Sequence, residues 1–302
     1  MKRFYPLYPP DKADQGDLTT PVDRMSWRTW RMSGESRAVE GEVVVEEPLE
    51  IRLNGRPVAI LMRTPGLEKE LAAGFCLGEG LIAKPLDIAL VRHCGRPYHN
   101  QEAEGDPLDV SYNQVDVTLM PAVAAGLDQG DAVPLIRSGC GRTEVSALLQ
   151  NLTPIEAQLT VSLETLFHLP AQMTRQQAAY RAAGGIHAAA LFDIAGRAVV
   201  VCEDIGRHNA VDKAVGYCLL RGISLNDKVL ASTGRASYDL VAKGVRLGVP
   251  IIASLSSPTS LAIELAEALN CTLLGYLRGK TLNVYTHDWR IASEGTSSKE
   301  GK

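Results

Sequence analysis

Short apolar runs alternate with one-sided helical patterns through the second half of the chain, and this alternation constrains the fold more than any other feature. The apolar runs predict strands, and the intervening segments predict helices. Predicted strands are 188–192, 198–201, 229–232, 251–255 and 273–276, and predicted helices are 209–220, 238–247 and 259–269. Strands and helices at this spacing form a mainly parallel sheet with helices on both faces. We therefore predict an α/β fold and expect ligands at the carboxyl ends of its strands.

The first half of the chain shows mainly strand patterns instead. The runs 51–53 and 58–62 flank Asn54-Gly55, the dipeptide with the strongest short-range hairpin signal. A helical pattern follows at 67–79, and a further strand is predicted at 115–119. These elements predict a smaller α+β domain before the α/β domain.

The two ends of the chain show neither pattern. Residues 1–40 are polar without a sustained period and are predicted to form an arm, while residues 291–302 are predicted to be a disordered tail. The predicted boundaries are therefore 41–130 for the α+β domain and 131–290 for the α/β domain.

Charge and cysteine usage exclude several classes of protein. The 302 residues carry a net charge of −4, which argues against broad electrostatic binding to nucleic acid or membranes. The N-terminus lacks the apolar core of a signal peptide, and no run approaches the roughly 20 apolar residues that span a bilayer. The six cysteines form no C-x-x-C pair and no regular framework, so we expect reduced thiols and a cytoplasmic protein.

The segment Arg137-Ser138-Gly139-Cys140-Gly141-Arg142, called here the Cys140 loop, is a candidate nucleophile site. Glycines on both sides of Cys140 give flexible backbone, and the two arginines favour the thiolate, which is the nucleophilic form. On these residues alone, a loop cysteine without a function is about equally well supported. The other five cysteines lie in apolar or structural segments and are expected to be inert.

His187 follows Gly184-Gly185 at the start of a predicted strand. Zinc deaminases place H-x-E at such an element and P-C-x-x-C further along the chain. Here Ala189 occupies the position of the Glu, and the chain has no C-x-x-C pair. We therefore expect no zinc, and His187 is either a structural histidine or part of a ligand site.

Charged residues are dense at 203–213, called here the charged segment, which reads Glu-Asp-Ile-Gly-Arg-His-Asn-Ala-Val-Asp-Lys. It lies between a predicted strand and a predicted helix. Charges at a buried strand end cost desolvation free energy unless they pair or bind a ligand. The segment is therefore either a self-satisfied network or a ligand site, and its position at a carboxyl end favours a ligand site.

Three further strand ends have the residues to bind anions. The loops 232–237 and 254–259 are rich in Ser, Thr and Gly, and the segment 276–283 adds two cations. Backbone N–H groups at helix starts bind phosphate, and Arg235 can supply a bidentate charge. Several such loops at one sheet edge indicate a large phosphorylated ligand, such as a nucleotide.

Together these segments resemble the FdhD family of formate dehydrogenase accessory sulfurtransferases. The resemblance extends from about residue 46 to residue 290. Its motifs are Gly-Phe-x-x-x-Glu-Gly-Leu-Ile at 74–82, Gly-Ile-His-Ala-Ala-Ala at 185–190, the charged segment, Gly-Arg-Ala-Ser-Tyr-Asp at 234–239 and Val-Tyr-Thr-His at 284–287. The resemblance implies a three-layer α/β/α domain like that of cytidine deaminases, without the zinc site.

The same resemblance implies a sulfur relay. A cysteine desulfurase would load a persulfide onto Cys140, which would sulfurate Mo-bis(molybdopterin guanine dinucleotide) before its insertion into formate dehydrogenase. A guanine nucleotide would then bind as a surrogate, and the family also implies a homodimer. The residues predicted to bind the cofactor are His187, Arg207, His208, Gly234, Arg235, Arg278, Gly279, Lys280, Thr281, Leu282 and Asn283.

One residue departs from the family pattern. The family carries C-G-x-C-G, whereas this chain has Cys140-Gly141-Arg142-Thr143-Glu144, so Thr143 replaces the second cysteine. Cys140 keeps the predicted role of sulfur carrier, and the departure calls into question any step that needs a second thiol. The alternative function is a non-catalytic chaperone that binds and hands over the cofactor without carrying sulfur.

Overall fold

The computed structural model describes residues 20–95, 113–127, 136–137 and 152–292. Its first elements are β1 (Val22–Trp30) and β2 (Ser36–Val44), which pair as an antiparallel hairpin. The sequence predicted no regular structure before residue 41, and the hairpin corrects that prediction. Neither strand contains a buried residue, so both lack the alternation of buried and exposed residues that predicts a strand.

A five-stranded sheet follows, with strand order β5-β6-β3-β4-β7. Its elements are β3 (Glu47–Leu53), β4 (Arg56–Arg63), α1 (Glu68–Gly78), a 3₁₀ turn (Pro85–Asp87), β5 (Ile88–Gly95), β6 (Asn113–Leu119), α2 (Pro121–Leu127) and β7 (Ile136–Arg137). The hairpin predicted at Asn54-Gly55 is confirmed, and both residues have the positive φ that its two-residue turn requires. The β7 strand pairs with β4 and so belongs to the first sheet, although its residues follow the predicted boundary at 130.

The remaining elements include a six-stranded sheet with strand order β10-β9-β11-β12-β13-β14 and a separate two-stranded sheet of β8 and β15. They are β8 (Val161–Ser162), α3 (Leu163–Gln176), α4 (Ala178–Ala183), β9 (His187–Phe192), β10 (Ala198–Asp204), α5 (Arg207–Leu220), β11 (Val229–Ser232), α6 (Tyr238–Arg246), β12 (Ile251–Ser254), α7 (Ser260–Ala268), β13 (Thr272–Arg278), β14 (Thr281–Thr286), a 3₁₀ turn (Asp288–Arg290) and β15 (Ile291–Ala292). The β15 strand pairs with β8, so the first two residues of the predicted disordered tail are ordered.

The six-stranded sheet is mixed, and the prediction of a mainly parallel sheet was wrong. The β9 strand is antiparallel to both of its neighbours, and β14 is antiparallel to β13. The turns at 193–197 and 279–280 are too short for the crossover that a parallel pair needs. The strands β10, β11, β12 and β13 nevertheless all point in one direction.

Helices cover both faces of this sheet, which confirms the predicted three layers. On β9, Ala189 and Leu191 pack with α5, α6 and α7. The alternate residues Ala188, Ala190 and Phe192 pack with α3 on the opposite face. In the part of the chain that the structure describes, no helix combines the length and the apolar character needed to cross a bilayer.

The two sheets share one hydrophobic core because α1 crosses α5 at very short range. A Cβ atom on Gly74 would lie 2.0 Å from the carbonyl oxygen of Asp212, and one on Gly216 would lie 1.8 Å from that of Glu70. Only glycine permits these two backbone contacts. The glycine of the Gly74-Phe75 motif is therefore a packing residue.

Candidate functional site

The strand directions bring the predicted site residues to one edge of the six-stranded sheet. The carboxyl ends of β10 to β13 and the first residues of β9 and β14 all lie there, as the register pairs Asp204 with His187, Ser232 with Ser254 and Arg278 with Thr281. We call this edge the ligand edge. It contains the charged segment, the two loops rich in Ser, Thr and Gly, and the segment 276–283.

His187 lies half-buried at the start of β9, against the loop that follows β11. Its Nδ1 atom is 3.3 Å from the Thr233 hydroxyl, which also accepts a hydrogen bond of 2.9 Å from the backbone N–H of Ala188. Burial and the nearby Arg207 cation hold the pKa of His187 below its ordinary value, although Asp204 opposes them. His187 is therefore neutral at pH 7, and among the described residues it belongs to no group of three or more His, Cys, Asp or Glu that could hold a metal ion. The expectation of no zinc stays a prediction.

Arg207 lies directly over Gly234. A Cβ atom on Gly234 would be 2.7 Å from Cβ and 2.9 Å from Cδ of Arg207, so the glycine makes room for the aliphatic part of the arginine. The Nε atom of Arg207 is buried without a hydrogen-bond partner. Arg207 and Gly234, which were predicted from separate motifs, are thus in contact. The Nε–H group of Arg207 is left to donate a hydrogen bond to a ligand.

Most of the charged segment points inward and satisfies itself. The Glu203 carboxylate accepts hydrogen bonds of 3.0 and 2.8 Å from the backbone N–H groups of Ala179 and Tyr180 at the start of α4. Asp204 and Lys213 form a buried ion pair of 2.8 Å. These residues belong to the self-satisfied network that the sequence left open, and they are not available to a ligand.

A second buried ion cluster joins three helices. The Lys243 ammonium lies 2.7 and 2.8 Å from the two carboxylate oxygens of Asp212 and 3.1 Å from Glu79. Burial alone would lower the pKa of Lys243, but the two carboxylates more than reverse this effect and raise it. The cluster fixes α5 and α6 against the end of α1.

His208 connects this ion cluster to the ligand edge. Burial lowers the pKa of His208 to about 3, and the Lys243 and Arg207 cations add to the effect while Glu79 opposes it. Its Nε2 atom is buried without a hydrogen-bond partner. Arg207 and His208 are therefore the two residues through which the charged segment can contact a ligand, as predicted for both.

The loop after β11 uses most of its backbone donors internally. The N–H of Gly234 donates to Ser232 and its carbonyl accepts from Ser254, while the N–H groups of Ala236 and Ser237 also have protein partners. The prediction that this loop offers N–H groups to phosphate was wrong for those three residues. Arg235 is exposed and keeps its predicted role as a cation.

Two buried hydroxyl groups where this loop joins α6 have no hydrogen-bond partner, a feature that the sequence does not predict. Ser237 precedes α6 but its hydroxyl caps no backbone N–H, and the hydroxyl oxygens of Ser237 and Tyr238 are both buried without partners. By contrast, Thr259 caps α7 by accepting from Ala262. A serine before a helix predicts a cap from sequence, so no sequence signal distinguishes the uncapped α6 from the capped α7.

The segment 278–283 is a tight β-hairpin rather than an open loop. Arg278 pairs with Thr281, which leaves Gly279 and Lys280 as the turn. The side chains of Arg278, Lys280, Thr281 and Asn283 are exposed, whereas Leu282 packs against the α3 side of the core. The predicted role of the Leu282 side chain in binding is therefore wrong, because it faces the core.

The predicted residues form two groups along the ligand edge. One group is His187, Arg207, His208 and Gly234 around β9 to β11, and the other is the β13–β14 hairpin. Since neighbouring strands lie about 4.8 Å apart, the two steps from β11 to β13 separate the near ends of the groups by roughly 10 Å, and the four steps from β9 to β14 separate their far ends by roughly 19 Å. Arg235 lies between them, so one extended ligand along the ligand edge can contact both groups.

Comparison with known proteins decides the family. Residues 44–292 match the FdhD/NarQ family, which is most of the chain. The chain belongs to the FdhD/NarQ family. A "Sulfur carrier protein FdhD" of Mycobacterium tuberculosis is 43% identical over 256 residues, which cover 82% of this chain and 91% of that protein. The protein of the same name from Anaeromyxobacter dehalogenans is 38% identical over 282 residues, with coverage of 91% and 96%.

A solved structure supports the same assignment. The crystal structure of a candidate formate dehydrogenase accessory protein from Desulfotalea psychrophila matches with a TM-score of 0.71 and 27% identity, and it covers 90% of this chain and 99% of that one. The resemblance to the FdhD family inferred from motifs is therefore confirmed, and so is the fold class.

The cysteines of this FdhD/NarQ family chain divide into two kinds. Four of the described cysteines are buried, as predicted for inert thiols, and burial raises the pKa of each, to about 12 for Cys218 and Cys271. Cys94 is exposed at the end of β5, which the sequence did not predict. Cys140 lies outside the described residues, three positions after β7 ends at Arg137.

Proposed function

We propose that this FdhD/NarQ family chain accepts sulfur on Cys140 as a persulfide and transfers it to Mo-bis(molybdopterin guanine dinucleotide). The observation that carries the proposal is the ligand edge, where Arg207, His208 and Arg235 lie within reach of one long anionic ligand. The relatives are named sulfur carrier proteins, which supports the sulfur chemistry. A sulfur carrier needs a nucleophile and a place to hold the acceptor, and the chain offers a candidate for each.

The position of β7 supports a role for the Cys140 loop near the ligand edge. The β7 strand runs parallel to β4, with Arg137 opposite Ile60. Three residues span at most about 11 Å of extended chain, so Cys140 stays within that distance of Arg137. The residue that follows β4, Thr64, donates its N–H to Asp204 at the end of β10. Both strands thus point toward the junction with the ligand edge.

The proposed transfer has two balanced steps. In the first, the Cys140 thiolate attacks the outer sulfur of a persulfide on a cysteine desulfurase. The new S–S bond forms as the donor's S–S bond breaks, and the donor cysteine leaves as a thiolate with the electron pair. In the second, the outer sulfur passes to the metal of the cofactor, which supplies the two electrons that reduce it to sulfide, and Cys140 returns as a thiolate.

The ligand edge would hold the cofactor by its phosphates and guanines. Arg207 and Arg235 supply cations for pyrophosphate, and charge-assisted hydrogen bonds to such groups are roughly twice as strong as neutral ones. Neutral His187 and His208 can each donate or accept one hydrogen bond. A guanine nucleotide should therefore bind as a surrogate for one end of the cofactor.

Mass spectrometry after incubation with a cysteine desulfurase and cysteine tests the proposal. The wild type should gain the mass of one sulfur, and Cys140→Ala should gain none. Cys94→Ala is the control, because Cys94 is the exposed cysteine among the described residues, and it should load like the wild type. Loading on Cys94 in place of Cys140 would contradict the proposal.

The replacement of the second family cysteine by Thr143 favours one alternative function. A chaperone that hands over the cofactor without carrying sulfur would bind guanine nucleotide at the ligand edge and never gain sulfur mass. Formate dehydrogenase and a cysteine desulfurase are the proposed protein partners, and a homodimer is the proposed assembly. Sedimentation of the chain alone and with each partner tests these associations.

A further inference from the structure

Thr64, the residue after β4, is held by the charged segment on all of its polar atoms. Its N–H donates to Asp204 at 3.2 Å, and its carbonyl accepts from the Lys213 ammonium at 2.7 Å. Its hydroxyl accepts from the N–H of Ile205 at 3.3 Å. Thr64 is fully buried, so none of these contacts is exchanged for water.

Asn209 adds two more hydrogen bonds to this junction. Its side-chain N–H groups donate to the carbonyl of Met62 at 2.8 Å and to Asp204 at 3.0 Å. In the contacts of Thr64 with the charged segment and of Asn209 with Met62, the two residues are separated by about 140 positions or more in the chain. These contacts join the end of β4 in the first sheet to the start of α5 on the second. We call Thr64, Asp204, Asn209 and Lys213 the clamp.

The clamp encloses the first two residues of α5, Arg207 and His208, called here the Arg207–His208 turn. Asp204 precedes this turn and also accepts from the N–H of Gly206 at 2.9 Å, while Asn209 follows it. The same clamp fixes β4, and β7 pairs with β4 three and four residues before Arg63. A single buried polar cluster therefore sets the position of the ligand-binding turn relative to the strand that leads to Cys140.

We propose that the clamp residues are positioning residues for sulfur transfer, holding the Arg207–His208 turn and the β4–β7 strands in one register. This inference rests on the proposed function. An apolar contact of the same size would often stabilise the junction as well or better, and in some proteins buried polar groups are retained because they specify one arrangement. A displacement of about 1 Å between reacting groups can cost about 100-fold in rate.

The test compares Asn209→Asp with Arg290→Met. The first change is isosteric and replaces the donor to Met62 by an acceptor. The second removes a buried cation that bonds to Ala157 and Thr272 at the opposite edge of the sheet, so it controls for a general loss of stability. Thr64→Val and Thr64→Ser form a milder pair, because serine keeps the hydroxyl that accepts from Ile205.

Two activities are measured. The first is persulfide loading, and the second is the activation of formate dehydrogenase by the loaded protein over a range of cofactor concentrations. Asn209→Asp and Thr64→Val should load sulfur like the wild type but activate about 10-fold or more slowly even at saturating cofactor. Arg290→Met and Thr64→Ser should activate normally per folded molecule. Hydrogen exchange at the Thr64 and Ile205 amides should accelerate only in Asn209→Asp and Thr64→Val.

Each outcome bears on a separate claim. If saturating cofactor restores full activation in Asn209→Asp and Thr64→Val, the clamp affects affinity alone and the positioning role is overturned. Equal losses in Arg290→Met would show that stability explains the effect. A wild type that gains no sulfur overturns the proposed function, and the inference that rests on it fails for that separate reason.

Discussion

A methyl group on Gly234 would lie 2.7 Å from Cβ of Arg207, and this contact joins two motifs that are 27 positions apart. The arginine can lie across the loop after β11 only because residue 234 has no side chain. The aliphatic part of the arginine is thereby held in place, and the Nε atom of its guanidinium is buried and unpaired.

Gly234→Ala should weaken guanine nucleotide binding because it displaces Arg207. The expected loss is about 1.5–3 kcal/mol, the usual range for a hydrogen bond to a charged group, measured by titration calorimetry. Arg207→Ala should give a similar loss. The double variant should bind no more weakly than Arg207→Ala alone, since both changes remove the same contact, and additive losses would contradict the displacement.

Arg235→Ala should also weaken guanine nucleotide binding, by more than the roughly 0–1 kcal/mol of an exposed ion pair. Arg197→Ala is the matched control, because Arg197 is an exposed arginine in the turn between β9 and β10 at the opposite sheet edge. Calorimetry at two salt concentrations should show a smaller salt dependence for Arg235→Ala only. Unchanged affinity would remove Arg235 from the site.

Gly216→Ala should destabilise the fold strongly, because the added Cβ atom would lie 1.8 Å from the carbonyl oxygen of Glu70. Overpacking costs about 1–3 kcal/mol where side chains can adjust, and a backbone contact leaves less room to adjust. Gly279→Ala meets no atom within 4 Å and should change the free energy of unfolding little. Urea unfolding of both variants measures the contrast, and equal stabilities would refute the close crossing of α1 and α5.

His208 should make the fold less stable at mildly acidic pH. Its pKa is about 3 in the folded protein and about 6.5 in an unfolded chain, so between these values the unfolded state binds more protons. The free energy of unfolding should therefore fall as the pH drops below about 6.5, by up to about 1.4 kcal/mol per pH unit from this residue.

His208→Gln provides the comparison, since glutamine does not titrate. Urea unfolding between about pH 7 and pH 5, above the ordinary pKa of carboxylates, should show a steeper loss in the wild type than in the variant. The charged neighbours Lys243, Arg207 and Glu79 and the neighbouring His187 remain in both proteins. Parallel curves would mean that His208 titrates normally in the fold.

Thr143→Cys should shorten the lifetime of a persulfide on Cys140. A threonine hydroxyl cannot exchange with a persulfide, whereas a second thiol can attack the inner sulfur and form a disulfide as the persulfide S–S bond breaks and the outer sulfur leaves as hydrosulfide with the electron pair. Mass spectrometry of the loaded proteins over time should show faster loss of sulfur in the variant. Thr143→Ser is the control, and equal lifetimes in all three proteins would show that residue 143 does not reach Cys140.

The sequence by itself determined the order of the strands and helices between residues 188 and 276, the turn at Asn54-Gly55 and the family. These depend on local patterns: apolar periodicity, turn dipeptides and motifs of consecutive residues. The alternation of strands and helices predicted a mainly parallel sheet, and the sequence signal that was missed is the short turn at 193–197, which requires β9 to be antiparallel to β10. The exposed hairpin β1–β2 was missed because neither of its faces is consistently buried.

Only the tertiary structure decided which charges of the segment 203–213 face a ligand. Glu203, Asp204 and Lys213 find partners on α4 and at Thr64, which are distant in the chain, so their burial could not be read from neighbouring residues. Arg207 and His208 lack such partners for one nitrogen each. A motif gives the residues that can bind, but whether each one binds a ligand or the protein depends on long-range contacts that form when the two sheets pack together.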